Sequence, residues 1–189
     1  GISEERITRW AIVRRSLDAR KLHPPVFVYV IDVTTGEDVA FPADIPAGIR
    51  ISVPCEEGEA TPPAVRADWM GRPVVVGCGP AGLFAALAFA RQGIPVLILE
   101  RGKPVQERLP DVVGFWRQGH FEPDSNVQFG EGGAGTFSDG KLTSRVKNPL
   151  ASWVKKVFVA MGAPPDILSD AKPHIGTDRL RVVLVNLRN

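Results

Sequence analysis

The stretch VVVGCGPAG, residues 74–82, constrains this chain more than any other. Three glycines, Gly77, Gly79 and Gly82, fall within six positions directly behind a run of valines. The valines read as a short strand buried on both faces. The following LFAALAFARQG, residues 83–93, is rich in Ala and Leu and reads as a helix, with Gly93 placed to end it. IPVLILE, residues 94–100, reads as a second buried strand. Strand, glycine turn, helix and strand form a crossover unit that is right-handed and sets its two strands parallel.

The order Gly77-Cys78-Gly79-Pro80-Ala81-Gly82 is G-x-G-x-x-G between a strand and a helix, the context in which the pattern means dinucleotide binding. Gly77 permits the tight turn, Gly79 lets a pyrophosphate touch the backbone, and Gly82 lets helix and strand pack closely. The phosphate then rests on free N–H groups at the positive end of the helix dipole. Glu100 ends the second strand, about 20 residues on, where an acid accepts hydrogen bonds from both ribose hydroxyls of an adenosine. Its charge disfavours a 2′-phosphate, which places NADP last, although Arg101 next to it dilutes the argument. The turn itself fits FAD and NAD alike. Gly-Pro-Ala-Gly at 79–82, with the small-residue helix and Glu-Arg-Gly at 100–102, resembles the FAD-binding turn of the glutathione-reductase-like flavoproteins. That resemblance favours FAD.

A second glycine-rich loop, NVQFGEGGAGTFSDGKL at 126–142, holds five glycines between 130 and 140. A flexible linker would be dominated by Gly and Ser. This loop instead has Phe129 and Phe137 as anchors and Asn126, Gln128, Ser138 and Lys141 as polar handles, which suits a loop wrapped around a ligand. Its backbone N–H groups would form a nest for an anion or for the electron-rich edge of a reduced flavin.

The rest of the chain is organised around this unit. Residues 9–19 and 26–34 read as strands, the second buried on both faces or central in a small sheet, and IRISV at 49–53 as a short third. They predict a small N-terminal domain over 1–56, α/β or β-rich. An acidic, Pro/Gly-rich linker follows at 57–72, and the nucleotide-binding portion occupies 73–189. A helix or helix pair broken at Pro110 is expected from ERLPDVVGFWRQG. Further helices are expected over 149–162 and over 177–188, the last with Thr177 as N-cap. Net charge is +2, too small to argue for nucleic acid, and the hydrophobic share is 44%, enough for a sizeable core. Two cysteines and no apolar run of about 18 residues point to a reduced, cytoplasmic protein without a membrane span.

The stretch from Glu100 to Val146, together with SLDARK at 16–21 and KPHIGTDRLR at 172–181, resembles a bacterial family of uncharacterised FAD-dependent dehydrogenases. The resemblance runs over nearly the whole chain. It implies a Rossmann-like α/β fold behind a small ferredoxin-like domain. It also implies an FAD-dependent oxidoreductase that acts on a small-molecule substrate, with NAD(P)H as a candidate electron donor. Gly132, Gly133, Thr136 and Ser138 would line the flavin. Those flavoproteins are longer and return late to a Gly-Asp pair that holds the ribityl chain. No such pair follows here, so the nucleotide fold is expected to be incomplete, the chain alone inactive, and the apolar positions Val182, Val183, Leu184 and Leu187 uncovered.

Other residues carry less. His120 and His174 are isolated, His23 precedes Pro-Pro, and Asp111, Asp124 and Asp139 have no spacing for metal or paired-carboxylate chemistry. Cys78 occupies a position that any small residue would fill. A competing reading is a non-catalytic nucleotide- or RNA-binding module that uses the basic RRSLDARK segment. Colour on purification separates it from a flavoprotein.

Overall fold

The computed structural model describes residues 3–20, 24–36, 39–41, 44–52, 60–65, 70–144, 146 and 148–189. The chain forms two compact units. One comprises Gly1–Glu59 with Leu168–Ala171, the other Ala60–Ile167 with Lys172–Asn189.

In the first unit, β1 (Ile7–Asp18) and β2 (Val26–Thr35) form an antiparallel ribbon, with Ile12 opposite Ile31 and Leu17 opposite Phe27. Register shifts lie between Ile7 and Arg9 and between Ile12 and Arg14. Both strands fall where β-branched and aromatic residues concentrate. Asp170 adds a bridge at Arg15, whose Nε donates to the Asp170 carboxylate at 2.7 Å.

Two expectations fail here. The second strand is not covered on both faces: Val26 to Thr34 are all exposed, because the ribbon has two strands and no layer stacked on it among the described residues. Nor does IRIS at 49–52 form a strand. Ile49 N–H closes a turn on the Pro46 carbonyl at 3.2 Å, and Val53 lies outside the described residues. No α-helix occurs among the described residues of 1–59, only a 3-10 turn at Glu4–Arg6, so the helical part of the expected ferredoxin-like unit is not seen.

The second unit is built on the crossover. β3 (Val74–Val76) and β4 (Leu97–Leu99) pair in parallel, Val75 opposite Ile98, with α1 (Pro80–Ala90) between them. β4 is shorter than the apolar run that encodes it, since Pro95 has no N–H to give to a ladder. Among the described residues, cover is found on one face of this pair. Ile98 packs on a core of Cys78, Leu83, Val105 and Leu184, while Val74, Val76, Leu97 and Leu99 are exposed. The expectation of strands buried on both faces is corrected accordingly. Past the end of α1, Gly93 adopts a positive φ of 73°.

Among the described residues, three further α-helices follow the crossover. α2 (Val105–Gln118) runs unbroken through Pro110, contrary to the expected break. Pro110 is the sixth helical residue and is exposed, so the forgone N–H bond is one to the carbonyl of the exposed Gln106. Gly119 ends the helix in the left-handed region, its N–H on the Phe115 carbonyl at 3.0 Å.

α3 (Leu150–Ala160) buries Trp153 and Val157, and Trp153 meets Phe84 of α1 edge-on at 5.4 Å between ring centroids. α4 (Thr177–Arg188) is capped by Gly176, not Thr177. Thr177 is the first helical residue and its hydroxyl donates to the Ser138 carbonyl at 2.7 Å. The face of α4 expected to lie bare is largely covered. Val183 joins a core with Ala163, Ile167 and Ile175, Leu184 joins the core beneath Cys78, and Leu187 packs beside it. Val182, at 52% exposure, stays out.

Candidate functional site

β3 delivers the chain to Gly77, whose φ of 95° only glycine adopts without strain. Gly77 N–H returns to the Leu99 carbonyl at 2.7 Å, which ties the turn to β4. Gly79 is the N-cap of α1 and Pro80 its first residue, a position where the missing N–H costs nothing. The close approach is at Gly82. A Cβ there would overlap the Gly77 carbonyl oxygen and press on Val75 at 3.2 Å. Gly79 is the opposite case, with nothing within 4 Å of a Cβ built on it. The N–H groups of Gly79, Ala81 and Gly82 have no acceptor among the described residues. Three unpaired donors thus lie in the first turn of a helix, at the positive end of its dipole, where anions are favoured.

Glu100 is already engaged. Its Oε2 accepts from Cys78 N–H at 2.6 Å and its Oε1 from Gly102 N–H at 2.8 Å. A carboxylate has about four acceptor positions, so room remains for a hydroxyl on each oxygen. Arg101 is exposed, pairs with Asp124 at 2.8 Å and lies over the Phe129 ring at 4.9 Å. Its charge is directed to the outer part of the second loop.

The second glycine loop lies against the first. Gly132 N–H donates to the Cys78 carbonyl at 2.7 Å. A Cβ built on Gly133 would sit 3.5 Å from Pro80 Cδ and 3.6 Å from Gly79 Cα. Gly130, Gly132 and Gly133 all have positive φ, so this path of the loop is open to glycine alone. The structure therefore brings Gly132 and Gly133 to the Gly77–Gly82 turn. Thr136 is fully buried and its hydroxyl is used inside the loop, donating to the Gly133 carbonyl at 3.0 Å. Ser138 is exposed and its hydroxyl donates to the Gly135 carbonyl at 2.7 Å.

Two charged residues that shape this loop escape sequence reasoning. Arg108 of α2 is fully buried beneath it. Its guanidinium donates to the carbonyls of Asn126 at 3.0 Å, Val127 at 3.0 Å, Gly130 at 3.3 Å and Glu131 at 2.6 Å, and to the Thr136 hydroxyl at 3.2 Å. Phe137 covers it at 5.1 Å. Burial lowers its pKa and the nearby Glu100 and Glu131 oppose that shift; a guanidinium keeps its charge regardless.

Glu131, 3% exposed, accepts from Val105 N–H at 2.7 Å and from Arg188 at 2.8 Å through one oxygen. Its other oxygen has no partner. The signal for Arg108 is there in hindsight: it shares a helix face with Val105 and Val112 at spacings of three and four. Cys78 is a buried thiol pushed up to about 11, first by burial and then by the charges of Glu131 and Glu100, so it is protonated at neutral pH. His120 and His174 are exposed, and His23 lies outside the described residues.

Comparison with known proteins places parts of the chain beside described families. Residues 1–34 match a domain of unknown function, DUF8436. An uncharacterized protein of Clostridium beijerinckii is 41% identical over 187 residues, which cover 99% of this chain and 35% of that protein. The chain thus spans about a third of that relative's length. A probable indole-3-pyruvate monooxygenase, YUCCA3, of Arabidopsis thaliana is 50% identical over 36 residues, covering 19% of this chain and 8% of that protein. No helix among the described residues is long and apolar enough to cross a membrane. Residues 72–109, which contain β3, the glycine turn, α1, β4 and Glu100, match an FAD binding domain, and FAD is the cofactor this relation gives the chain.

Proposed function

We propose that this chain is the FAD-binding part of a flavin-dependent oxidoreductase. The pyrophosphate of FAD is held by the N–H groups of Gly79, Ala81 and Gly82, the adenosine ribose by Glu100, and Gly132 and Gly133 close over the turn. One observation carries the reading: the open Gly79, with its unpaired N–H, lies against the positive-φ Gly133 of a second glycine-rich loop. Two backbones without side chains meet beside the unpaired donors, and such donors suit an anion. Thr136 and Ser138 hold the loop's shape from within.

When bound, FAD supplies the electron transfer; the protein binds, orients and shields it. Cys78 stays a protonated thiol at neutral pH. The matched YUCCA3 segment spans 36 residues, so it supports the cofactor more than any one reaction. By resemblance the reaction is a dehydrogenation of a small molecule, with NAD(P)H as a candidate partner in electron exchange. The test is a titration of the purified chain with FAD, followed by flavin fluorescence, with Gly79→Val beside it. Saturable binding lost in the variant supports the reading. Equal behaviour of the two proteins overturns it.

A further inference from the structure

The hydrogen bonds of Arg108 lead, peptide by peptide, to the phosphate turn. Its Nη1 donates to the Glu131 carbonyl at 2.6 Å. The peptide group bearing that carbonyl also bears Gly132 N–H, and no peptide here is cis, so the two point in opposite directions. Gly132 N–H donates to the Cys78 carbonyl at 2.7 Å. The peptide bearing that carbonyl in turn bears Gly79 N–H, which has no acceptor among the described residues. Both bonds are shorter than the usual N–H···O distance of about 2.9–3.0 Å.

A cation at one end of such a chain draws electron density through it, and each peptide becomes a stronger donor. The direct partners of Arg108 are four carbonyls and a hydroxyl; the Glu100 and Glu131 carboxylates act on it through space and not through a bond, so its charge enters the relay at the Glu131 carbonyl.

The geometry points to Arg108 as a positioning residue for the phosphate site, one that polarises Gly79 N–H through the Glu131–Gly132 and Cys78–Gly79 peptides. The effect is distinct from merely tethering the loop, because it depends on charge and reaches an atom that Arg108 does not touch. This inference rests on the reading of Gly79–Gly82 as the FAD pyrophosphate site.

The test uses the chain labelled with 15N-glycine, with ADP as the probe because it carries the pyrophosphate and adenosine without the flavin. Arg108→Gln keeps hydrogen-bond donors and loses the charge; Arg108→Lys keeps the charge and loses the fork. In the ligand-free protein the Gly79 amide proton should move upfield in the Gln variant and stay near its original position in the Lys variant. ADP affinity should fall about two- to fourfold in the Gln variant and stay near that of the unsubstituted chain in the Lys variant. An unmoved Gly79 resonance in a folded Gln variant overturns the proposal, as does a loss of affinity as large with Lys as with Gln. If the Gln variant does not fold, the Lys variant decides: a retained Gly79 shift and ADP affinity support the proposal, and their loss in a folded protein overturns it. Failure of ADP to bind the unsubstituted chain, with the Gly79 shift still responding to Arg108, would remove the FAD reading and leave the polarised relay standing.

Discussion

Glu100→Gln separates two duties of one carboxylate. In the ligand-free protein Glu100 already accepts from Cys78 N–H at 2.6 Å and from Gly102 N–H at 2.8 Å, so it braces the turn before any ribose arrives. Hydrogen bonds to a charged group contribute about 1.5–3 kcal/mol each. Glutamine keeps one acceptor oxygen and turns an NH2 group toward the other backbone donor, which loses its partner. Glu100 is only half-buried, so water replaces part of the loss, and the cost sits near the lower bound, about 1.5–2 kcal/mol. With a urea slope of about 1–3 kcal/mol/M, the unfolding midpoint should drop by roughly 0.5–2 M. FAD affinity should fall by a further factor of about ten, the equivalent of one ribose bond at about 1.4 kcal/mol. Riboflavin, without adenosine, should lose no affinity beyond what the weakened turn costs. Urea melts of the ligand-free chain and parallel titrations with FAD and riboflavin check both parts. An unchanged midpoint would refute the bracing role, and equal losses for FAD and riboflavin would refute the ribose role.

Further outcomes follow from neighbouring residues. Gly82→Ala should cost about 3 kcal/mol or more, at the high end of overpacking, because the new methyl meets the Gly77 backbone rather than a mobile side chain; chemical denaturation measures it. Arg188→Ala should destabilise by about 1–3 kcal/mol, since it leaves the buried Glu131 carboxylate with one donor fewer, discounted because the Arg188 side chain is 35% exposed; a thermal melt checks it. Cys78, raised from 9.0 to about 11, should resist alkylation in a Cys55→Ser background until the pH nears 11. The unfolded thiol ionises first, so the stability held by the protonated thiol is complete below pH 9 and is lost as pH rises toward 11; urea midpoints across that range report the sign.

The crossover was legible in the sequence because its constraints are local. Gly77 needs a positive φ and Gly82 a vanishing side chain, and both are written in residue types at fixed spacing. Gly132 and Gly133 were legible as loop glycines, but that they meet Gly79 and Pro80 is a long-range fact that no pattern encodes. Arg108 was missed because an arginine in a helix ordinarily means a solvated face. Only the cluster of inward carbonyls at 126, 127, 130 and 131 makes its burial favourable. Pro110 misled for a similar reason: the rule that proline ends a helix weakens near the first turns, where little is lost. Thr177 looked like a cap, yet its hydroxyl found Ser138, 39 residues away in sequence, and left capping to Gly176. The exposed β2 strand carries apolar residues at both parities, and such a pattern cannot say what layer is present to cover them.

The central claim is that the backbone of the glycine turn, under the second glycine loop, receives the FAD pyrophosphate. Amide resonances of the labelled chain, followed as FAD is added, test it most directly. The account predicts saturable shifts at Gly79, Ala81 and Gly82, with smaller ones at Gly132 and Gly133, all abolished by Gly79→Val while the fold persists. Saturating FAD that leaves those amides unmoved, or that shifts them equally in Gly79→Val, would contradict it.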